Sequence, residues 1–197
     1  KNVGVSHVTF LGHKNAEIFF GYYDISPFSS DGKKLLYHRY DRSTRNGLGV
    51  SLGYCSIEAG ELCEMSSFAF TRTWCWQMGA RLQWVSPCNN SLVVYNTVVQ
   101  NEYGCKVLDL GDRRVLDCNT FPVYSLNSAN LTALYLNFSR LHRMRPGYGY
   151  RNFPDRTEGS MAPDDDGIYL GCLKSGESSL LHSLREIAQT DAIEGYG

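Results

Sequence analysis

Residues 22–37 read Tyr-Tyr-Asp-Ile-Ser-Pro-Phe-Ser-Ser-Asp-Gly-Lys-Lys-Leu-Leu-Tyr, and this pattern recurs twice further along the chain. Residues 82–95 read Leu-Gln-Trp-Val-Ser-Pro-Cys-Asn-Asn-Ser-Leu-Val-Val-Tyr, and a weaker copy spans Pro122 to Tyr135. Each copy is a short apolar segment, a polar turn and a second apolar segment that closes on a tyrosine. Each copy therefore predicts two strands joined by a turn.

A third strand, a turn and a fourth strand are predicted after each copy. The third strands are expected at Gly53 to Ile57, Cys105 to Leu110 and Ile168 to Leu173, and each leads into a turn that combines glycine with charged residues. Glycine tolerates the positive φ of a tight hairpin turn, so an antiparallel fourth strand should follow. Four strands in roughly 40 to 60 residues is the repeat of a β-propeller blade.

The predicted fold class is therefore all-β, a partial β-propeller of about three four-stranded blades. We expect the blades over 20–69, 70–120 and 121–183 of a single unit that spans 1–197. A short C-terminal helix is predicted from the spacing of Leu180, Leu181, Leu184, Ile187 and Ala188. Propellers close with about four to eight blades, so three blades predict that the chain is part of a longer protein.

The middle repeat indicates a sheet that is covered on both faces. Its predicted strand from Leu92 to Val99 is apolar at nearly every position, with Asn96 and Thr97 as exceptions. A half-exposed strand would alternate apolar and polar residues instead. The 13 Tyr, 9 Phe and 3 Trp suit this arrangement, because flat rings fill the space between stacked sheets.

Composition excludes several classes of partner and site. Nineteen Lys and Arg against 20 Asp and Glu give a net charge of -1, without the basic excess of a nucleic-acid-binding protein. No apolar run reaches the ~18 to 20 residues of a membrane span. Seven cysteines without a Cys-x-x-Cys pair predict reduced thiols in a cytoplasmic compartment, with a disulfide framework as the alternative. We therefore expect no nucleic acid, no membrane span and no cofactor.

Three stretches resemble a known family of proteins. They are 21–27 (Gly-Tyr-Tyr-Asp-Ile-Ser-Pro), 74–84 (Trp-Cys-Trp-Gln-Met-Gly-Ala-Arg-Leu-Gln-Trp) and 137–150, which ends in Arg-Pro-Gly-Tyr-Gly-Tyr. The family consists of bacterial propeller-like proteins associated with glycosyltransferases of surface-polysaccharide synthesis. More distantly, the strand and turn pattern is similar to TolB-type and oligogalacturonate lyase propellers. The resemblance implies a propeller about twice this length, a role in polysaccharide synthesis, and a glycosyltransferase or another protein as partner.

The first strand of each blade lines the central channel of a propeller, so aligned positions there are candidate ligand contacts. When the repeats are aligned on Ser-Pro, Tyr23 matches Gln83, and Asp24 matches Trp84 and Tyr124. Aromatic rings stack on the apolar face of a pyranose, while Asp and Gln side chains hydrogen-bond sugar hydroxyls. We therefore predict glycan contacts at these five residues. The alternative is structural, with Asp24 capping a turn and Trp84 in the core.

A cationic segment near the end of the chain predicts a further part of the binding site. Arg140, His142 and Arg145 precede Pro-Gly-Tyr-Gly-Tyr, in which Tyr148 stands between two glycines, and we expect an irregular glycine-hinged loop here. Arginine offers a planar fork of donors to a carboxylate or phosphate and tyrosine can stack, so an acidic sugar is the predicted ligand. The alternative is a solvated loop whose arginines pair with acidic residues within 155–166.

Metal-assisted lyase chemistry would require several histidines, with Gln77 or Gln83 as a further ligand. The candidate histidines His38, His142 and His182 fall in different repeats and form no recognisable ligand set, so no metal site is predicted. Gln77 remains a predicted substrate contact beside Gln83.

The favoured function is a carbohydrate-related binding or scaffold protein of bacterial polysaccharide synthesis, with a glycan in the propeller channel. One alternative is a polysaccharide lyase or hydrolase of the oligogalacturonate lyase type. A second alternative is a protein-interaction platform. The sequence leaves open whether the protein is an enzyme, and no catalytic residue is assigned.

Overall fold

The computed structural model describes residues 15–43, 49–86 and 89–190, and its strands form three four-stranded antiparallel sheets. The first sheet contains β1 (Ala16–Phe19), β2 (Lys34–Asp41), β3 (Val50–Glu58) and β4 (Glu61–Thr71). The second contains β5 (Gln83–Ser86), β6 (Asn89–Val99), β7 (Glu102–Asp109) and β8 (Arg114–Asn119). The third contains β9 (Ser125–Asn127), β10 (Thr132–Leu136), β11 (Gly167–Cys172) and β12 (Ser178–Ser183). Consecutive strands are neighbours in every sheet, which confirms the predicted partial propeller.

The second sheet is buried on both faces, as its apolar pattern predicts. In β6, Val93 and Tyr95 lie in a core cluster with Leu52 of the first sheet. Val94, between them, lies in another cluster with Ala133 of the third sheet. Successive side chains of a strand point to opposite faces, so one strand contributes to both interfaces between the sheets.

A stack of aromatic rings extends over the third sheet from the core that this sheet shares with the second. Phe121 stacks on Tyr135 with ring centroids 5.4 Å apart, and Tyr135 stacks on Tyr169 at 4.8 Å. Gly171 of β11 lies against Phe121, because a Cβ at this position would come within 2.5 Å of the ring. The close approach of this strand to the ring therefore depends on a residue without a side chain.

The first sheet begins upstream of the repeat that predicted it. Its first strand, β1, ends before residues 23–25, which form a turn, and Phe28 returns to the sheet through a single bridge to Leu35. The alignment suggested that Tyr23 and Asp24 lie on the first strand of the blade. They lie instead on a loop. Pro87 and Cys88, which continue the Ser-Pro pattern of the second repeat, lie outside the described residues.

A helix, α1 (Phe138–Met144), occupies part of the segment that was predicted to be an irregular loop. That prediction is wrong for these seven residues. Asn137 caps the helix, because its side chain accepts a hydrogen bond from the N–H of Arg140. Gly147 and Gly149, which suggested a loop, follow the helix and have positive φ.

A short C-terminal helix, α2 (Leu184–Ala188), is present as predicted, but it begins later than the apolar spacing suggested. Leu180 and Leu181 belong to β12, the outer strand of the third sheet. Ser183 ends that strand and caps the helix in a capping box with Glu186. No helix among the described residues is long and apolar enough to cross a membrane.

Asn96 connects the three sheets through hydrogen bonds of its side chain and its backbone. This fully buried residue of β6 donates from Nδ2 to the Val123 carbonyl (2.8 Å) and to the Tyr150 hydroxyl (2.9 Å). Its Oδ1 accepts from the N–H of Val123 at 2.8 Å. Its backbone carbonyl accepts from the Thr71 hydroxyl, and its N–H donates to the Ala80 carbonyl. Asn96, the polar residue in the otherwise apolar strand β6, therefore connects all three sheets.

Replacing Asn96 by leucine should destabilise the fold strongly. Leucine has a similar volume but leaves both backbone groups of Val123 and the hydroxyl of Tyr150 buried without this partner, at about 1–3 kcal/mol for each group. We expect the free energy of unfolding, measured by urea titration, to fall by about 3 kcal/mol or more. The surface variant Asn130→Ala should cost less than about 1 kcal/mol, and equal losses in the two variants would contradict the role of Asn96.

Candidate functional site

Segments from the three blades line an open pocket with a volume of about 480 Å³, here called the channel pocket. Its walls come from within residues 24–30, 81–84 and 125–128, one segment from each blade. A propeller has its central channel where such inner segments meet. Three of the aligned candidate residues line the pocket, namely Asp24, Gln83 and Trp84.

Arg81, a buried residue that the sequence analysis did not select, joins the three walls. Only 1% of its side chain is exposed, and its guanidinium pairs with both carboxylate oxygens of Asp24, at 2.9 and 3.1 Å. Its Nε donates to the Tyr124 carbonyl at 2.9 Å, and the guanidinium lies 4.2 Å from the centre of the Tyr124 ring. A buried charge needs a partner, so this one side chain fixes both Asp24 and Tyr124. The signal in the sequence was a single charge within an apolar run, 78–85.

The accessible surface of the channel pocket combines hydroxyl groups with aromatic rings. Its lining serines are Ser26, Ser29, Ser30, Ser125 and Ser128. Phe28 offers an exposed ring, and the indole N–H of Trp84 donates to the Pro27 carbonyl at 3.0 Å. Trp84 also packs against the core between the first and second sheets, so it combines the two roles considered from sequence. Such groups can hydrogen-bond the hydroxyls of a sugar and stack on its ring.

Tyr23, Tyr22 and Tyr148 form a row of tyrosines, here called the tyrosine row. The row begins next to the channel pocket, because Tyr23 directly precedes Asp24, which lines that pocket. The ring centroid of Tyr22 lies 4.2 Å from that of Tyr23 and 5.9 Å from that of Tyr148. The guanidinium of Arg145 lies 4.2 Å from the centre of the Tyr148 ring. Hydrogen bonds with Tyr23 and Tyr148 hold the pKa of Tyr22 above its usual value. Three predicted site residues are thus connected through Tyr22, which the sequence analysis did not select.

Arg140 is engaged by the fold rather than by this tyrosine row. Its guanidinium donates hydrogen bonds to three backbone carbonyls, those of Thr157, Ser160 and Met161. Arg143, also on α1, forms an ion pair with Asp155 at 2.9 Å. Both arginines therefore hold the 155–161 segment against α1, and the pairing with Asp155 is the kind that the structural alternative predicted.

His142 and Gln77 line neither the channel pocket nor the tyrosine row. Nδ1 of His142 lies 3.3 Å from the carbonyl oxygen of Tyr148, so this ring holds the segment that follows α1. Gln77 is exposed in a turn that is closed by backbone hydrogen bonds between Cys75 and Gly79. The structure therefore brings His142 to the backbone of Tyr148, whereas Gln77 lies in a separate turn.

The histidines that were considered as metal ligands lie in different environments. His38 is completely buried in β2, whereas His182 is exposed beside Glu186 and His142 lies on α1. Within the part of the chain that the structure describes, no group of three His, Cys, Asp or Glu side chains is placed to bind a metal ion.

His38 supports the turn between Cys75 and Gly79. Its Nε2 accepts a hydrogen bond from the N–H of Ala80 at 2.9 Å, and its ring stacks on Phe19 at 5.1 Å. A Cβ on Gly79 would come within 2.4 Å of the imidazole. Burial lowers the pKa of His38 to about 3, against smaller opposing effects of backbone groups of Phe20 and Phe19. His38 is therefore neutral in the folded protein at physiological pH.

Comparison with known proteins adds a fold relationship. The sequence matches no family model and no curated protein. The structure is similar to that of an oligogalacturonate lyase in complex with manganese, with a TM-score of 0.50 and 14% sequence identity. The similarity covers 85% of this chain and 41% of that chain, so this chain spans less than half the length of that protein. At this identity the likeness shows a shared propeller fold.

The buried His38 predicts an acid-dependent loss of stability. The unfolded chain takes up a proton near the ordinary pKa of 6.5, whereas the folded chain excludes it down to about 3, so stability falls as the pH drops below about 6.5. The contribution of His38 alone lowers the free energy of unfolding by about 2 kcal/mol between pH 7 and pH 5.

Urea titrations at several pH values measure this effect. The variant His38→Gln, which keeps an acceptor for the N–H of Ala80, should show a flatter dependence on pH, whereas the exposed His182→Gln should keep the wild-type slope. An unchanged slope in His38→Gln would show that another group is responsible.

Proposed function

We propose that this protein binds carbohydrate in the channel pocket and acts in bacterial polysaccharide synthesis. The observation that carries the proposal is the channel pocket itself, in which three blades contribute serine hydroxyls, the Gln83 amide and the rings of Phe28 and Trp84. A volume of about 480 Å³ falls within the range of small-ligand sites.

The rigidity of the pocket supports a binding role. Arg81 fixes Asp24 and Tyr124, and the Gln83 side chain donates to the Arg81 carbonyl at 3.2 Å. Side chains that are already held in position lose little conformational freedom when a ligand binds. The pocket therefore suits a ligand that presents several hydroxyl groups at fixed spacing.

The resemblance to proteins associated with glycosyltransferases supports a role in polysaccharide synthesis and a glycosyltransferase as protein partner.

Six of the seven cysteines lie in the described residues and all six are free thiols, which supports the predicted reducing, cytoplasm-like compartment. Cys88 lies outside the described residues.

The variant Phe28→Ala should weaken glycan binding. The tetrasaccharide with the highest affinity among cellotetraose, maltotetraose and mannotetraose is chosen by calorimetric titration. Loss of a stacking ring should weaken its binding by about fivefold to tenfold. Phe70→Ala is the matched control, because Phe70 lies on β4 away from the pocket and is 52% exposed, as against 51% for Phe28.

Equal affinities of the two variants, or no binding of any tetrasaccharide, would contradict the channel proposal.

Incubation with polygalacturonate tests the lyase alternative, because a lyase releases an unsaturated uronate product that absorbs ultraviolet light. Turnover that is lost on chelation of metal ions would replace the binding function by the enzymatic one.

A further inference from the structure

A second and larger cavity lies on a different part of the molecule. It has a volume of about 740 Å³ and is here called the rim pocket. One wall is the connection between β4 and β5, and the other is formed by α1 and the segment that follows it. The lining residues are Arg72, Trp74, Cys75, Trp76, His142, Gly147, Gly149, Arg151 and Asn152. The rim pocket and the channel pocket share no lining residue.

Both walls of the rim pocket are anchored on Asn96. Thr71, which precedes Arg72, donates its hydroxyl to the Asn96 carbonyl at 3.0 Å. Tyr150, which precedes Arg151, accepts from the Asn96 side chain at 2.9 Å. The two arginines therefore follow residues that are hydrogen-bonded to the same buried residue, one to its backbone and one to its side chain.

A further hydrogen bond connects the two walls directly. The Asn152 side chain donates to the carbonyl of Arg72 at 3.2 Å. The backbone of Gly149 also lies close against α1, since a Cβ there would come within 2.2 Å of the Phe138 carbonyl oxygen. The cavity is thus built from backbone that is held at several points.

The charged groups of the rim pocket are positive. Arg72 and Arg151 line it from opposite walls, and none of its described lining residues is Asp or Glu. Burial raises the pKa of the Cys75 thiol, so this group is neutral at physiological pH. A pocket that is lined by two arginines and by no described Asp or Glu favours an anion, since each guanidinium group offers a planar fork of donors.

Trp76 gives the rim pocket an aromatic surface. Its ring is 52% exposed, yet it is held from behind by Trp74 at 4.8 Å, Phe19 at 5.1 Å and Tyr40 at 5.2 Å between ring centroids. An exposed indole in a fixed orientation can stack on the apolar face of a pyranose. Gly147 and Gly149, which carry no side chain, lie in the opposite wall.

We propose that the rim pocket binds a saccharide that carries an anionic group, either a carboxylate or a phosphate. The pyranose ring lies against Trp76, and the anion lies between Arg72 and Arg151. This proposal does not rest on the channel pocket. Of the residues that line the rim pocket, only His142 was selected as a site residue from the sequence.

The test measures three ligands on the purified chain by calorimetric titration. Cellobiouronic acid carries a carboxylate, glucose 1-phosphate carries a phosphate, and cellobiose is the neutral counterpart of the first. Arg72→Gln and Arg151→Gln should each weaken binding of the anionic saccharides by about tenfold, because each removes a charge-assisted contact. Arg114→Gln, an exposed arginine on β8, is the matched control and should leave affinity within about twofold.

Tryptophan fluorescence provides a second readout. Stacking on Trp76 should quench the emission on addition of ligand, and Trp76→Phe should abolish most of that change while a circular dichroism spectrum confirms the fold. The tighter of the two anionic ligands then identifies the preferred anion.

Three results would overturn the proposal. Cellobiose binding as tightly as cellobiouronic acid would remove the role of charge. Equal losses in the Arg72 variant and the Arg114 control would remove the site, as would no binding of either anionic saccharide. Failure of the channel variant Phe28→Ala leaves these outcomes unaffected, because Phe28 does not line the rim pocket.

Discussion

The buried amide of Asn96 is the constraint on which the arrangement of the three sheets depends. An amide offers two donors and an acceptor, and burial makes each unpaired group costly, so the surrounding chain must supply matching partners. Those partners come from Val123, just before the third sheet, and from Tyr150 beyond α1. Val93 and Val94 pack on opposite faces of β6 and bring the three sheets together. The hydrogen bonds of the Asn96 amide then fix the position of the sheets relative to one another.

Both candidate sites follow from that junction. Arg81 comes one residue after the carbonyl of Ala80, to which the Asn96 N–H donates, and it reaches Asp24 and Tyr124 from there. The channel pocket forms around this pair of contacts. On the other side, Thr71 and Tyr150 lead into the arginines of the rim pocket. A polar residue in the core thus positions polar and cationic groups at two accessible cavities.

The repeats made the sheets predictable from sequence, because alternation, turn glycines and a two-sided apolar strand are local patterns. Alignment of the repeats also identified Asp24, Gln83 and Trp84 as neighbours in the channel. Arg81 and Asn96 were visible only as polar interruptions, since their partners lie 27 to 57 residues away and no local pattern encodes such pairings. The helix α1 was missed because Gly147 and Gly149 suggested a loop, whereas the cap at Asn137 decides the local structure upstream of them.

The proposed carbohydrate site depends on three blades of one propeller contacting a single ligand. A crystal structure of the chain with its highest-affinity oligosaccharide would locate that ligand. We expect a sugar ring in contact with residues from 24–30, 81–84 and 125–128 at once. A sugar bound on the surface of a single sheet, or inner segments too far apart to share one ligand, would contradict it.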